Sequence, residues 1–176
     1  MSFVNPEKNV LLFGLKDGAH IADFGAGSGA YVFALARHLG LRGMVYAVDI
    51  QKDLLTKIKN EGNRLGLENI QVIWGDVEKP GGTKLGDASL DGVLLSSILF
   101  QVSDKDALLS EAKRVLKNGG KVFLIEWSES YGGLGPKPED VVSKDEAMKL
   151  FGKAGLPFER EIEAGSYHYG LIFSKI

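Results

Sequence analysis

Residues 21–30 of this chain read Ile21-Ala22-Asp23-Phe24-Gly25-Ala26-Gly27-Ser28-Gly29-Ala30. The apolar beginning of this stretch is typical of a short buried strand. Glycines follow, and because glycine lacks a Cβ, the backbone can turn sharply there and approach a ligand closely. The helix predicted from Tyr31 to Leu39 would then point unpaired N–H groups and a partial positive charge at that ligand. The stretch therefore predicts the nucleotide-binding strand–turn–helix unit of an open α/β sheet.

The spacing of the glycines leaves the identity of the nucleotide open. Gly25, Gly27 and Ala30 match the dinucleotide fingerprint G-x-G-x-x-[GA], and Asp49 follows about twenty residues later, as that fingerprint requires. Asp23, however, lies where its charge would repel a pyrophosphate and attract an ammonium group. Asp76, in Trp74-Gly75-Asp76, is a second acidic residue at the end of the third predicted strand. Three carboxylates at three strand ends suit S-adenosylmethionine, whose ammonium, ribose diol and adenine amine are all donors, while an NAD-dependent oxidoreductase remains the alternative.

Five motifs in a fixed order extend this pattern along the chain. They are Ala22-Asp23-Phe24-Gly25-Ala26-Gly27-Ser28-Gly29, Tyr46-Ala47-Val48-Asp49, Gly75-Asp76, Leu90-Asp91-Gly92-Val93 and Arg114-Val115-Leu116-Lys117-Asn118-Gly119-Gly120. Through them the chain resembles the class I S-adenosylmethionine-dependent methyltransferases, and among these the type 11 and quinone C-methyltransferase branch. Asn118 stands where that family usually has proline, which alters a turn and leaves the chemistry unchanged.

The resemblance, together with the alternation of strand and helix patterns, predicts an α/β fold. We expect a doubly wound, Rossmann-like, seven-stranded and mostly parallel sheet in the order 3-2-1-4-5-7-6, with an antiparallel C-terminal hairpin and helices on both faces. Residues 1–176 are expected to form a single S-adenosylmethionine-binding methyltransferase domain. After the first strand, the pattern predicts strands at 44–50, 70–74, 90–96 and 122–127 and hairpin strands at 158–163 and 167–174. Residues 78–89 and 131–140 are predicted loops.

The resemblance also implies which residues hold the cofactor. Asp49 would accept hydrogen bonds from both ribose hydroxyls, although it could instead cap the following helix. Asp76 would bind the adenine amine beside the backbone N–H of Val77, whereas Trp74 is predicted to be a core residue. The predicted cofactor-binding set is Asp23, Phe24, Gly25, Ala26, Gly27, Ser28, Gly29, Tyr31, Asp49, Ile50, Gly75, Asp76, Val77 and Ser96.

Methyl transfer requires few catalytic groups, because the protein mainly aligns the acceptor with the methyl group in a desolvated pocket. A general base is needed only when the acceptor loses a proton. His168 is the candidate base, and a satisfied structural histidine is the other interpretation. The predicted substrate contacts are Ser97, Gln101, Trp127, Tyr131 and Tyr169. No metal site is expected, because no histidine pair has ligand spacing.

The segment Asn5-Pro6-Glu7 has the features of a helix start: a capping side chain, proline at the first helical position and an acid in the first turn. This helix would cover one edge of the sheet, act as a flap over the cofactor, or do both.

The composition of the chain limits the classes of molecule that it is expected to bind. The chain has 176 residues and a formal net charge of −2, and its 21 Lys and Arg are scattered without a basic block, which disfavours nucleic acid. No apolar run approaches the ~20 residues of a membrane span and no signal peptide is visible, so a cytoplasmic location is expected. We expect a small-molecule acceptor. An RNA or protein acceptor presented by a larger complex remains open, as do a non-catalytic relic of the fold and the oligomeric state.

Overall fold

The computed structural model describes residues 4–176, so the first three residues of the predicted domain lie outside the described part. The strands are β1 (His20–Phe24), β2 (Met44–Asp49), β3 (Ile70–Trp74), β4 (Leu90–Ser96), β5 (Leu116–Trp127), β6 (Phe158–Ile162) and β7 (His168–Ser174). The helices are α1 (Pro6–Leu12), α2 (Ala30–Leu39), α3 (Lys52–Arg64), α4 (Lys105–Val115) and α5 (Lys144–Lys153). Short 3₁₀ turns occupy residues 40–42 and 138–140.

Within the described residues, one seven-stranded sheet has the order β3-β2-β1-β4-β5-β7-β6. Strands β1 to β5 pair in parallel, and β7 runs antiparallel to both β5 and β6. The predicted fold class and strand order are therefore confirmed. Asp23 of β1 pairs with Ala47 and Leu94, while Asp49 of β2 pairs with Trp74. This register brings the carboxyl ends of β1 to β4 to one edge of the sheet.

Helices cover both faces of the sheet, each over its own apolar cluster. Residues of α1, α2 and α3 pack with Ile21 of β1 on one face. Residues of α4 and α5 pack with Ala22 and Phe24 on the other. Side chains of a strand alternate between faces, so the same short strand contributes to both cores. Strand β1 is consequently buried on both faces, as a central parallel strand requires.

The N-terminal helix is confirmed. The side chain of Asn5 accepts a hydrogen bond from the backbone N–H of Lys8 at 3.1 Å, and Pro6 is the first helical residue. Val10 and Phe13 are buried, and the Phe13 ring stacks on Phe123 of β5 with 4.4 Å between ring centroids. Helix α1 therefore packs on the same face of the sheet as α2.

Several predicted boundaries were wrong by a few residues. Helix α2 begins at Ala30, β2 ends at Asp49, β6 ends at Ile162 and β7 begins at His168. The largest difference is β5, which starts at Leu116, directly after α4, instead of at Val122. The reason is pairing with a neighbour: Leu116 pairs with Leu90 of β4, and the register then shifts so that Gly92 pairs with Lys121.

The prediction of a buried Trp74 was wrong. Strand β3 is the edge strand of the sheet, and the Trp74 side chain is 52% exposed. Its indole N–H donates to the carbonyl oxygen of Ile50 at 3.0 Å. The Lys52 Nζ lies 4.0 Å from the ring centroid, at the distance of a cation–π contact.

Candidate functional site: a groove at the carboxyl edge of the sheet

The glycine turn after β1 requires glycine for its backbone conformation. Gly25, Gly27 and Gly29 have φ angles of +76°, +53° and +82°, in the left-handed region that favours glycine. The N–H groups of Gly25 and Ala26 both donate to the carbonyl oxygen of Val48, at 2.8 and 3.0 Å. The turn is thereby fixed against the end of β2, and Gly29 becomes the N-cap of α2.

Two cavities lie side by side along this edge. The first, which we call the β2–β3 cavity, measures about 200 Å³ and includes Asp49, Ile50 and Asp76 in its lining. The second, the α1 cavity, measures about 400 Å³ and is lined by Asp23, Tyr31 and Ser96 among others. Gly25, Gly27 and Gln101 line both cavities. The two cavities therefore form one groove that crosses the ends of β1 to β4.

Asp49 and Asp76 line the β2–β3 cavity with carboxylates in different surroundings. Asp49 is buried, and its two oxygens accept from the N–H groups of Gly27 at 3.0 Å and Gln51 at 2.8 Å. Asp76 is half-buried, accepts from the N–H of Glu78 at 3.0 Å and pairs with Lys79 at 3.3 Å. Each carboxylate oxygen has more than one lone pair, so both groups retain acceptor capacity toward the cavity.

Asp23 differs from both because it is buried without compensation. Its Oδ1 has no hydrogen-bond partner among the described residues, and its side chain is 2% exposed. Burial raises the pKa of this carboxyl to about 7, with a further contribution from the negative charge of Asp49. An unpartnered acceptor in a cavity wall is costly, and a cationic donor such as an ammonium group satisfies it.

This arrangement agrees with a family comparison. The methyltransferase domain family matches residues 15–157 of the sequence, which include β1 to β5 and the whole groove edge. The chain belongs to the methyltransferase domain family. The predicted resemblance is thereby confirmed at the level of the family.

Relatives of this methyltransferase domain include the ubiquinone/menaquinone biosynthesis C-methyltransferase of Hahella chejuensis, 31% identical over 79% of this chain and 55% of the relative. The arsenite methyltransferase of Aquipseudomonas alcaligenes is 31% identical over 72% of this chain and 40% of the relative. The chain thus spans about half or less of the length of these curated relatives. The structure of an S-adenosylmethionine-dependent methyltransferase from Aquifex aeolicus is 31% identical, with a TM-score of 0.89, covering 99% of this chain and 91% of the other.

In the methyltransferase domain, most of the predicted cofactor set comes together in the groove. The exceptions are Phe24, whose side chain is fully buried on the α4–α5 face, and Gly29, which caps α2. Sequence reasoning missed Ile98 and Val102, which line the β2–β3 cavity, and Val4 and Pro6, which line the α1 cavity. The sequence did contain a signal for Ile98 and Val102, because they are apolar residues four positions apart that come shortly after β4.

The predicted substrate contacts separate into two groups. Ser97 and Gln101 line the α1 cavity, and the Gln101 amide donates to the carbonyl oxygen of Ser97. Trp127 and Tyr131 lie instead at the end of β5 and in the following loop, where Trp127 packs on His168 and Tyr131 stacks on Tyr167, with centroid separations of 4.2 and 4.0 Å. None of these rings is among the residues that line the two cavities of the groove.

Tyr169 does not reach the groove. It is buried on the α4–α5 face, and its hydroxyl donates to the carbonyl oxygen of Val142 at 2.9 Å. The reason is the alternation along β7, which places Tyr169 on the same face as Leu171 and Phe173. The prediction of a substrate contact for Tyr169 therefore has no support in its position.

The candidate base His168 is half-buried, and its Nδ1 lies 3.1 Å from the carbonyl oxygen of Ser166. A carbonyl oxygen only accepts, so Nδ1 carries the proton and Nε2 keeps a lone pair. Burial lowers the pKa of this imidazole, and the hydrogen bond to Ser166 opposes that effect only in part. His168 is therefore in the neutral form, which is the form that accepts a proton, at pH 7.

Glu126 ends β5 as a buried carboxyl that holds the loop after β4. Its oxygens accept from the N–H groups of Leu99 at 2.9 Å and Trp127 at 3.0 Å. Burial raises the pKa of this carboxyl to about 7. Because Ile98, beside Leu99, lines the β2–β3 cavity, Glu126 positions part of the groove wall.

No cluster of three or more His, Asp or Glu side chains within residues 4–176 has the arrangement of a metal site. None of the helices in that range is both long and apolar enough to cross a membrane.

Proposed function

We propose that this chain is an S-adenosylmethionine-dependent methyltransferase that transfers a methyl group to a small-molecule acceptor. The observation that carries the proposal is Asp23: a buried carboxylate oxygen without a partner, in the wall of a groove with two further carboxylates. A cationic amino-acid end satisfies Asp23, whereas the pyrophosphate of a dinucleotide would face its charge. This favours S-adenosylmethionine over NAD.

Each half of the groove has its own role in this proposal. Asp49 accepts hydrogen bonds from the ribose hydroxyls, and Asp76 accepts one from the adenine amine beside the N–H of Val77. Ile50 and Ile98 provide apolar walls. Asp23, Tyr31 and Ser96 surround the amino-acid end in the α1 cavity. The bound cofactor supplies an electrophilic methyl group, and the protein's part is to align the acceptor and exclude water.

The acceptor is proposed to be a flat, largely apolar small molecule. One relative is named for ubiquinone and menaquinone biosynthesis, and the aromatic rings of Trp127, Tyr131 and Tyr167 lie at the end of β5, the strand next to β4, and in the loops around it. Another relative is named for arsenite, a soft thiophilic substrate, but this chain contains no cysteine and so offers no thiolate. Where the acceptor must lose a proton, Nε2 of His168 is the proposed base.

Calorimetric titration with S-adenosylmethionine, S-adenosylhomocysteine and NAD tests the cofactor. We expect binding of the first two and none of NAD; preferential NAD binding would favour the oxidoreductase alternative. Incubation with methyl-labelled cofactor and a cell extract tests the acceptor, with the Asp49→Ala protein as the control for enzyme-dependent labelling. Label in the small-molecule fraction supports the proposal. Label confined to RNA or protein contradicts it, and binding without any transfer indicates a non-catalytic relic.

A further inference from the structure

Asn9 is a buried polar residue of α1 that connects three parts of the chain around the α1 cavity. Its side chain is 3% exposed. Its amide nitrogen lies 2.7 Å from the hydroxyl of Tyr31, at the start of α2, and 3.2 Å from the carbonyl oxygen of Ala164, in the β6–β7 turn. No sequence motif indicated this residue, because its partners lie 22 and 155 positions away.

The two contacts determine which partner donates. The carbonyl oxygen of Ala164 only accepts, so the Asn9 side chain must present its NH₂ group to it. The same NH₂ group faces Tyr31, and the Tyr31 oxygen therefore accepts a hydrogen bond from Asn9. The hydroxyl hydrogen of Tyr31 is then left to be donated in another direction. Burial also raises the pKa of Tyr31, so the hydroxyl keeps this hydrogen at neutral pH.

Tyr31 is one of the residues that line the α1 cavity, so a ligand in this cavity is available to accept that hydrogen. Asp23 and Ser96 line the same cavity as Tyr31. The Ser96 hydroxyl both donates and accepts and rotates freely, so it can bind either group of a ligand there. One cavity wall therefore carries an unpartnered acceptor, the Asp23 oxygen, and a directed donor, the Tyr31 hydroxyl.

We propose that Asn9 is a positioning residue that holds the Tyr31 hydroxyl as a donor to the carboxylate of the cofactor's amino-acid end. The proposal rests on the proposed function and deepens it. An amino acid has one cationic and one anionic group, and the wall offers one acceptor and one donor. Asp23 recognises the ammonium group, and Tyr31, directed by Asn9, recognises the carboxylate. Hydrogen bonds to a charged group are among the stronger ones, so the pair contributes to selectivity.

Decarboxylated S-adenosylmethionine tests this assignment, because it keeps the ammonium group and lacks the carboxylate. Calorimetry compares its affinity with that of S-adenosylmethionine for four proteins: wild type, Tyr31→Phe, Asn9→Leu and the double variant. We expect wild type to prefer the carboxylated ligand by about tenfold. Tyr31→Phe and Asn9→Leu should each reduce this preference to about threefold or less, because each weakens the binding of S-adenosylmethionine and leaves that of the decarboxylated ligand unchanged. The double variant should bind S-adenosylmethionine no more weakly than Tyr31→Phe does, since both substitutions remove the same interaction.

Asn69 provides the matched control. It too is a buried asparagine, and its amide nitrogen donates to the carbonyl oxygens of Ala36 at 2.9 Å and Gly40 at 2.8 Å, outside the groove lining. Asn69→Leu should lower the melting temperature without changing the ligand preference. Asn9→Ala replaces Asn9→Leu in the comparison where the leucine variant does not fold.

The outcomes separate this inference from the function on which it rests. An Asn9 variant that keeps the wild-type preference for the carboxylated ligand overturns the positioning role and leaves the proposed function intact. A variant that binds both ligands more weakly by the same factor does so too. Wild-type protein that binds neither ligand overturns the proposed function, and this inference with it.

Discussion

The three groove aspartates show how surroundings give one residue type different properties. Asp49 is buried and receives two backbone N–H groups, Asp76 is half-buried beside Lys79, and Asp23 is buried with an unpartnered oxygen. The pKa is raised to about 7 for Asp23, which lacks such compensation. Hydrogen bonds to the ionised form offset the desolvation penalty, and without them the neutral form is favoured. The charge of Asp23 therefore depends on what occupies the groove.

Replacing Asp49 by alanine is expected to weaken cofactor binding by on the order of 1–3 kcal/mol, about tenfold to a hundredfold. The change removes the proposed ribose acceptor and also the anchor of the Gly27 and Gln51 N–H groups. Calorimetric titration with S-adenosylhomocysteine measures the loss. Asp53→Ala, in the exposed first turn of α3, is the control and should bind as wild type does. Unchanged affinity of Asp49→Ala would remove Asp49 from the site.

Replacing Asp23 by asparagine is expected to stabilise the ligand-free protein at high pH. The folded-state pKa of about 7 lies above the ordinary aspartate pKa of 3.8, so the folded state binds more protons than the unfolded state between these values. The contribution of Asp23 to stability is therefore present below about pH 4 and is lost as the pH rises through 7. At pH 8 we expect Asp23→Asn to be more stable than wild type by on the order of 1–3 kcal/mol, with little difference at pH 4.

Urea unfolding at the two pH values measures this difference. Glu126 also has a pKa raised to about 7, so the pH dependence of wild type alone contains both groups. The difference between wild type and Asp23→Asn isolates Asp23. In wild type, S-adenosylmethionine affinity should rise as the pH rises through 7, because the ionised carboxylate binds the ammonium group, whereas the variant should bind weakly throughout. A stability difference that is the same at both pH values would contradict the assignment.

At the scale of the elements, helix α4 organises the loop that precedes β4. Glu111 is buried, and its oxygens accept from the N–H of Gly81 at 2.9 Å, the hydroxyl of Thr83 at 2.6 Å and the guanidinium of Arg114 at 2.7 Å. Burial alone would raise the pKa of this carboxyl, but these hydrogen bonds lower it to about 2. The loop 78–89 is irregular, as predicted, and one helix residue holds its middle in place.

Replacing Glu111 by glutamine is expected to lower the free energy of unfolding at pH 7 by on the order of 1–3 kcal/mol, because an amide N–H would face donors of the loop. The lowered folded-state pKa means that the contribution of Glu111 to stability is present above the ordinary glutamate pKa of 4.5 and is lost as the pH falls toward 2. The destabilisation by Glu111→Gln should therefore shrink as the pH falls below 4.5, as urea unfolding at pH 7 and pH 3 would show.

Asp87→Asn is the matched control, because Asp87 is the exposed partner of the same arginine. Exposed ion pairs contribute about 0–1 kcal/mol, so this variant should remain close to wild type. Equal destabilisation by the two variants would mean that the buried network has no special role.

At the scale of the whole molecule, a single sheet carries both apolar clusters, and β1, β4 and β5 contribute residues to each of them. The helices on each face bury their apolar side chains against the sheet, so neither layer of helices forms a hydrophobic core by itself. We therefore propose that residues 1–176 form one cooperative domain that unfolds in one transition.

The two tryptophans of the sheet test this cooperativity, because Trp74 ends the edge strand β3 and Trp127 ends β5 in the other half. The Trp74→Phe variant keeps Trp127, and the Trp127→Phe variant keeps Trp74. The fluorescence of each variant therefore reports unfolding around the tryptophan that remains. In each variant, the urea midpoint from fluorescence should coincide with the midpoint from far-ultraviolet circular dichroism. Two separated midpoints within one variant would show that the halves of the sheet unfold independently.

Local sequence was sufficient for the elements that contain their own signal. The strand, glycine turn and helix around Gly25 were predictable because the backbone conformation that glycine permits is a property of the turn itself. The positions of Asp23, Asp49 and Asp76 at the carboxyl edge followed, since each lies at or just beyond the carboxyl end of an apolar run. The strand order came from resemblance, and the structure confirmed it.

Tertiary structure alone decided the features that depend on neighbours distant in sequence. Trp74 is exposed because β3 is an edge strand, and Tyr169 is withdrawn from the groove because its face of β7 is covered by α5. The unpartnered oxygen of Asp23 and the donor role of Asn9 are also of this kind. Burial and hydrogen-bond partnership depend on which segments meet in space. Asn9 and its partner Ala164, for example, are 155 positions apart in the sequence. Periodicity and spacing describe a segment, whereas the chemistry of the groove arises from contacts between segments.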